Sequence, residues 1–198
     1  MYNLTLIIPA KEEKYSLPRV LDEVKDLNFK KLVVLAEDDF ETREAVKNSD
    51  CEILFQTGKG YGNAIREGIK HATTKYIAIF YADGSTDPID LKPMINKIID
   101  DKNQIVFGSR YEKNAGSYDD NWITRIGNYF FTKFGNVFFS LNISDILFTY
   151  IVAEKNTMDK LKLNSDDYCL CVEIALKSKE LGFKSVSYTH LTLPTKRI

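Results

Sequence analysis

The chain has 198 residues, 44% of them hydrophobic and 28% charged, the make-up of one globular domain with room for a core that needs no disulfide staples. A formal net charge of −1 and a pI near 6.2 leave no general electrostatic pull toward nucleic acid. The odd set Cys51, Cys169 and Cys171 suits reduced, cytosolic thiols, "MYNLTLIIPAKEE" turns charged too soon for a secretory leader, and no run approaches the roughly 20 apolar residues of a membrane span.

Leu4–Pro9 ("LTLIIP") reads as a first strand. A helix over Ser16–Leu27 follows, with Leu17, Val20, Leu21, Val24 and Leu27 at helical spacing, Ser16 as N-cap and Pro18 in the first turn. Leu32–Ala36 is a second strand that runs into Glu37-Asp38-Asp39 and a helix around Thr42–Lys47. The short strand Glu52–Gln56 leads through Gly58-Lys59-Gly60 into a helix from Tyr61 to His71. In the next strand, Tyr76–Tyr81, five of six residues are β-branched or aromatic. That run stops at Asp83, and Asp87-Pro88 opens a helix over Ile89–Asp100 before the strand Gln104–Gly108. Strands alternating with helices predict a parallel sheet between helical layers.

Open α/β sheets bind ligands at the carboxyl ends of their strands. Here those ends carry Glu13, Glu37-Asp38-Asp39, Asp83 and Ser109-Arg110. Several acids beside one cation suggest a metal ion and a phosphorylated ligand. The alternative for Asp83 is structural: it starts a turn, and Asp87 caps the next helix. "GKGYG" is not a P-loop, because Gly60 follows Lys59, and not a dinucleotide fingerprint, because Asn63 takes the third glycine position. A receiver domain is excluded because Glu52–Gln56 ends in no phosphoacceptor. Cys169-Leu-Cys171 lacks a second Cys/His pair and reads as two small buried side chains. In "WITRIGNYFFTKFGNVFFSL" Trp122, Ile126, Phe130, Phe134 and Phe138 recur every four residues, a stripe that ordinarily packs into a core.

Taken in order, "LIIPAKEEKYSLPRVLDEV", "GKGYGNAIREGIKHATTKYIAIFYADGSTDP" and "VFGSRY", followed by Arg125, Ser144-Asp145 and Glu173, resemble the family 2 glycosyltransferases over residues 3–186. The resemblance is to the dolichyl- or polyprenyl-phosphate sugar transferase branch. It implies an α/β GT-A fold for nucleotide-diphospho-sugar transfer, with a mostly parallel central sheet flanked by helices. It further implies a divalent cation, Mg²⁺ or Mn²⁺, on Asp83, offsetting the charge that the leaving diphosphate gains. Pro9, Ala10 and Glu13 would line the base pocket, Asp38 or Asp39 would touch base or ribose, and Lys59 with Gly60 would lie beside the nucleotide. Arg110 and Arg125 would hold an acceptor phosphate, with Asp145 orienting Arg125 or the metal shell; the alternative is two surface or salt-bridged arginines.

Departures from the family pattern sharpen the reading. Its Asp-x-Asp is Tyr81-Ala82-Asp83 here, so restoring an aspartate at 81 should strengthen metal binding. Its Asp-Asp-Gly-Ser-Thr-Asp is Glu37-Asp38-Asp39-Phe40-Glu41-Thr42, and Gly-Phe-Arg after Asp145 is Thr149-Tyr150-Ile151. Branches that glycosylate a hydroxyl carry a Glu-Asp pair, the aspartate being the general base, where this chain has Leu170-Cys171. A phosphate is ionised already and needs no base. The expectation is therefore an inverting, metal-dependent glycosyltransferase for cell-envelope glycans, using a nucleotide-diphosphate sugar and a polyprenyl-phosphate acceptor. The aromatic helix would suit such a lipid and a peripheral contact at the inner face of the cell membrane. The alternatives are a hydroxyl acceptor or a non-catalytic nucleotide-binding module. Residues 1–185 would be the catalytic domain, truncated at its carboxyl end. Residues 186–198 resemble translated sequencing-adapter read-through and are expected to be a non-native tail.

Overall fold

A computed structural model of the chain describes residues 3–110 and 122–189. Seven strands form one sheet: β1 (Leu4–Ala10), β2 (Lys30–Leu35), β3 (Glu52–Phe55), β4 (Tyr76–Ile79), β5 (Ile105–Ser109), β6 (Ile151–Glu154) and β7 (Ser185–Thr189). Their spatial order is β3-β2-β1-β4-β6-β5-β7. The helices are α1 (Leu17–Glu23), α2 (Phe40–Val46), α3 (Tyr61–His71), α4 (Leu91–Ile99), α5 (Trp122–Phe139), α6 (Lys155–Leu161) and α7 (Leu170–Glu180).

All seven residues of β1 are buried, because the strand lies centrally with helices over both faces. Alternate residues feed opposite cores. Leu4, Leu6 and Ile8 join Leu17, Met94 and Tyr150 on one side, while Ile7 joins Ile65, Ile79 and Ile174 on the other. The parallel pairs β1–β2, β2–β3 and β1–β4 agree with the expected sheet. Strand β6 was not foreseen; it runs antiparallel to both β4 and β5, so the sheet is mixed. Strand β7 pairs in parallel with β5, from Ile105 opposite Ser185 to Ser109 opposite Thr189. The stretch after residue 185 thus starts as an edge strand, and residues 190–198 lie outside the described ones.

Two helices depart from expectation. Helix α1 ends at Glu23 rather than Leu27, and Ser16 caps nothing with its side chain; its hydroxyl turns back to the Glu13 carboxylate instead. Helix α5 forms over the aromatic segment but is turned inside out. Asn128, Thr132 and Gly135 are buried, whereas Tyr129, Phe130, Phe131, Phe134, Val137 and Phe138 are exposed. The polar face is inward because it has partners there. Asn128 donates to Asp145 (2.7 Å), Thr132 Oγ1 accepts from the Ile146 N–H (3.2 Å), and Asn136 both donates to the Ile143 carbonyl (2.7 Å) and accepts from its N–H (3.1 Å). From Ile126 onward, the stripe that reads as core therefore lies on the surface.

Candidate active site

The carboxyl edge of β1, β2 and β4 opens onto a cavity of about 300 Å³. Pro9, Ala10, Glu13, Gly60 and Asp83 line it, as expected from the sequence. Lys11, Gln56, Tyr61, Tyr81 and Tyr168 also line it and were not foreseen. Asp38, Asp39 and Lys59 are not part of the lining.

Asp39 has a structural task. Its carboxylate accepts from the Thr42 N–H (3.2 Å), capping α2, and from the Glu12 N–H (2.7 Å), fixing a residue held at φ 60°. The neighbouring Glu13 N–H donates to Thr42 Oγ1 (2.9 Å), so the loop after β1 is tied to the start of α2. Of the two candidates for a base or ribose contact, Asp38 is the exposed one.

Asp83 makes the turn of its structural reading and also faces the cavity. Its Oδ1 accepts from the Ser85 N–H (2.8 Å), making the turn, while the residue is exposed and faces the cavity. Asp87 accepts from the Ile89 N–H (2.9 Å) and caps the 3₁₀ turn before α4. Among the described residues no group of three or more His, Cys, Asp or Glu could hold a metal. One exposed carboxylate nevertheless fits a cation that arrives on a diphosphate, because Mg²⁺-type ions keep waters and take one or two carboxylates plus phosphate oxygens. Asp83 would hold it.

Tyr81, at the place of the first aspartate in the Asp-x-Asp pattern, has its hydroxyl at Thr149. Its hydroxyl bonds to Thr149 Oγ1 (2.6 Å) and accepts from the Thr149 N–H (3.1 Å), and the Tyr61 hydroxyl meets the same Oγ1 (3.0 Å). Burial pushes both phenols above their ordinary range, so they remain protonated. In Tyr81→Asp the loss of these contacts is the first effect expected. The shorter carboxylate would sit where a ring and two hydroxyl contacts now are, losing about 2 kcal/mol of stability with no gain in Mn²⁺ affinity. Paired urea denaturation and Mn²⁺ titration check this.

Arg110 and Asp145 come together. The Asp145 carboxylate is wholly buried and accepts from Arg110 Nε (2.8 Å), Nη2 (3.2 Å) and backbone N–H (3.3 Å). The guanidinium also lies 4.8 Å from the Phe148 ring centre. Asp145 thus orients Arg110. Arg125 is exposed and lines a separate groove beside α5 with Thr132, Lys133 and Ser144.

At the start of α7, Leu170 and Cys171 are buried and Cys169 is exposed, so only one thiol of the pair is packed inside. Burial pushes the Cys171 thiol up to about 11, which leaves it no base near neutral pH. Burial would also raise the Glu173 carboxyl, but Lys177 and the N–H groups of Ser165 and Asn164 outweigh it and hold the group down at about 2.

The sheet order, with a cavity at the carboxyl ends of its parallel strands, is that of an α/β domain of the GT-A fold, which its structural neighbours share. The family model described as Glycosyl transferase family 2 matches residues 5–162, and the chain belongs to that family. The glycosyltransferase AglJ of Haloferax volcanii is 21% identical over 183 residues, covering 91% of this chain and 59% of that protein. An uncharacterized glycosyltransferase of Mycobacterium tuberculosis is 29% identical over 124 residues, 63% of this chain and 55% of that protein. The chain therefore spans little more than half the length of these curated relatives. Among solved structures, glucosyl-3-phosphoglycerate synthase of Mycobacterium tuberculosis with UDP superposes with a TM-score of 0.76 at 10% identity, over 100% of this chain and 74% of that one. The same synthase with Mn²⁺, UDP-glucose and phosphoglyceric acid gives 0.75 at 11% identity, over 98% and 73%.

Proposed function

We propose that residues 1–185 form the domain that transfers a sugar from a nucleotide-diphosphate donor to a polyprenyl phosphate, with inversion and a divalent cation. The observation that supports the acceptor class is the start of α7: Leu170 and Cys171, which stand in place of the Glu-Asp pair of the hydroxyl-glycosylating branches, are buried, and the Cys171 thiol is held protonated. An acceptor that is already anionic requires only orientation. Arg110, aimed by Asp145, and Arg125 are assigned to its phosphate. Pro9, Ala10, Glu13 and Gly60 would take the nucleotide, with Asp38 and Lys59 at its rim and Asp83 holding the metal. The cation supplies charge stabilisation for the leaving diphosphate. An acceptor oxygen on the opposite face of the anomeric carbon then inverts the configuration. UDP-glucose and Mn²⁺ in a solved structure of the same fold support the donor half of this reading.

The exposed aromatic face of α5 supports a lipid-linked acceptor and a peripheral position on the inner membrane face, as in the making of envelope glycans. No helix among the described residues is long and apolar enough to cross a membrane. Helix α5 carries Arg125 and Lys133 and no acidic residue, which suits anionic headgroups. The full chain should sediment with vesicles rich in phosphatidylglycerol. Replacing Phe130, Phe134 and Phe138 with serine should weaken this at least about tenfold, since each buried ring contributes roughly 1.5–3 kcal/mol. Equal sedimentation of the variant would remove α5 from the contact.

The function itself is tested by incubating the protein and Mn²⁺ with UDP-glucose or GDP-mannose and one of three acceptors: polyprenyl phosphate, 3-phosphoglycerate or glycerol. Product on the polyprenyl phosphate is expected. Transfer to phosphoglycerate or glycerol alone would overturn the acceptor class, and donor binding without transfer would favour a nucleotide-binding module.

A further inference from the structure

We propose that Tyr168 recognises the transferred sugar, its ring acting as a fixed platform for the sugar's apolar face; this deepens, and rests on, the donor reading above. Tyr168 lines the donor cavity and is 74% exposed, an unusual state for a ring that the surrounding structure holds in place. It stacks on Tyr61 with ring centres 5.0 Å apart and planes 19° apart. Tyr61 stacks in turn on Tyr81 (6.3 Å, 21°), and Tyr81 on Phe148 (5.6 Å, 15°), whose ring lies against Arg110. The ladder of rings therefore runs from the cavity, past a residue two positions before Asp83, to the arginine assigned to the acceptor. Asp83 and Tyr168 line the same cavity, so a sugar bonded to a diphosphate held at Asp83 would lie within reach of the Tyr168 end of this ladder. The base-lining residues Pro9 and Ala10 come from β1 instead.

The platform is preorganised by its own loop. Glu173 accepts from the N–H groups of Asn164 (2.9 Å) and Ser165 (2.8 Å). The Asp166 carbonyl accepts from the Asn63 N–H (3.1 Å), and the Asp166 carboxylate takes Asn63 Nδ2 (3.2 Å) and Arg66. The loop backbone rests directly on the start of α3, where a Cβ on Gly62 would come within 2.6 Å of the Ser165 and Asp167 carbonyl oxygens. Asp167 accepts from the Cys169 N–H (2.8 Å) on the far side of Tyr168. With one ring face on Tyr61, Tyr168 offers the remainder of its ring to the cavity. Pyranose C–H groups form such a sugar's only extended apolar face, and they pack on aromatic rings without the loss of water that a hydroxyl face would suffer.

The test is calorimetric titration of the full chain with Mn²⁺ plus UDP, UDP-glucose, GDP or GDP-mannose, for wild type, Tyr168→Phe and Tyr168→Ala. For the donor that wild type binds, Tyr168→Ala should lose about fivefold in affinity for the nucleotide sugar. Its affinity for the matching nucleotide diphosphate should be unchanged, and Tyr168→Phe should bind both as wild type does. A merely structural ring would move both ligands together. Equal loss for diphosphate and sugar nucleotide, or no loss for either, overturns the proposal while leaving the donor reading intact. Wild type binding none of the four ligands overturns both.

Discussion

Asp145→Ala is expected to lower unfolding free energy by about 3–5 kcal/mol, the usual cost of removing one member of a buried ion pair. The carboxylate is fully inside and receives Arg110 through two guanidinium nitrogens as well as the Asn128 amide. Without it, a half-buried guanidinium and a buried amide lose their acceptor together. Arg110→Ala should cost a similar amount for the converse reason, since it leaves a buried negative charge uncompensated. The double variant should recover much of the loss, because neither charge then remains. Urea midpoints for the four proteins check this, and simple additivity would mean that the pair does not act as a unit. Transfer to the proposed polyprenyl-phosphate acceptor should fall in all three variants, as each loses the oriented arginine.

Asp83→Asn is expected to weaken Mn²⁺-dependent donor binding on the order of 100-fold or more, since even indirect supports of a metal ligand are worth 10–100-fold. The fold should not change. The residue is exposed, and an asparagine Oδ1 can accept from the Ser85 N–H as the carboxylate does. What it cannot supply is a negatively charged oxygen for a hard cation. Titrating donor with and without Mn²⁺ separates the two contributions, and undiminished metal dependence would place the ion elsewhere.

Much of this architecture was legible in the sequence because local signals and burial agree. Helix α3 runs from Tyr61 to His71 as its glycine-rich entry and apolar spacing predict, and the apolar strands fall within a residue or two of their expected bounds. Strand β6 was missed because Ile151–Glu154 gives a short apolar run with no sign of direction; only pairing with β4 and β5 reveals that it is antiparallel. Helix α5 was readable as a helix but not in its orientation. Periodicity tells which residues share a face, not whether Asn128, Thr132 and Asn136 will find inward partners. For the site, the strand-end residues Pro9, Ala10 and Asp83 were found because topology brings them together. The structural task of Asp39 was not legible because a cap and a ligand contact demand the same side chain. Tyr61 and Tyr168 carried no local signal, their stacking being created by segments that lie far apart in the chain. The exposed Tyr168 beside two acids could have been noticed only as an aromatic in an otherwise polar turn.

The seat of the 165–167 backbone on Gly60 and Gly62, at the start of α3, also bears on how the molecule assembles. Asn63 and Asp166 are 103 positions apart, yet their contacts hold the loop from which Tyr168 joins the wall of the cavity. Local and near-neighbour pairings such as β1–β2 and β2–β3 can form while the chain is still emerging from the ribosome; this wall cannot. Donor competence should therefore appear late and abruptly, once Glu173 has been synthesised and has drawn its loop down onto α3. A half-made chain would have a nearly complete parallel half-sheet and no place to hold a nucleotide sugar. Long-range closure of this kind slows folding through the entropy of the intervening loop, and it also keeps an unfinished polypeptide from sequestering substrate.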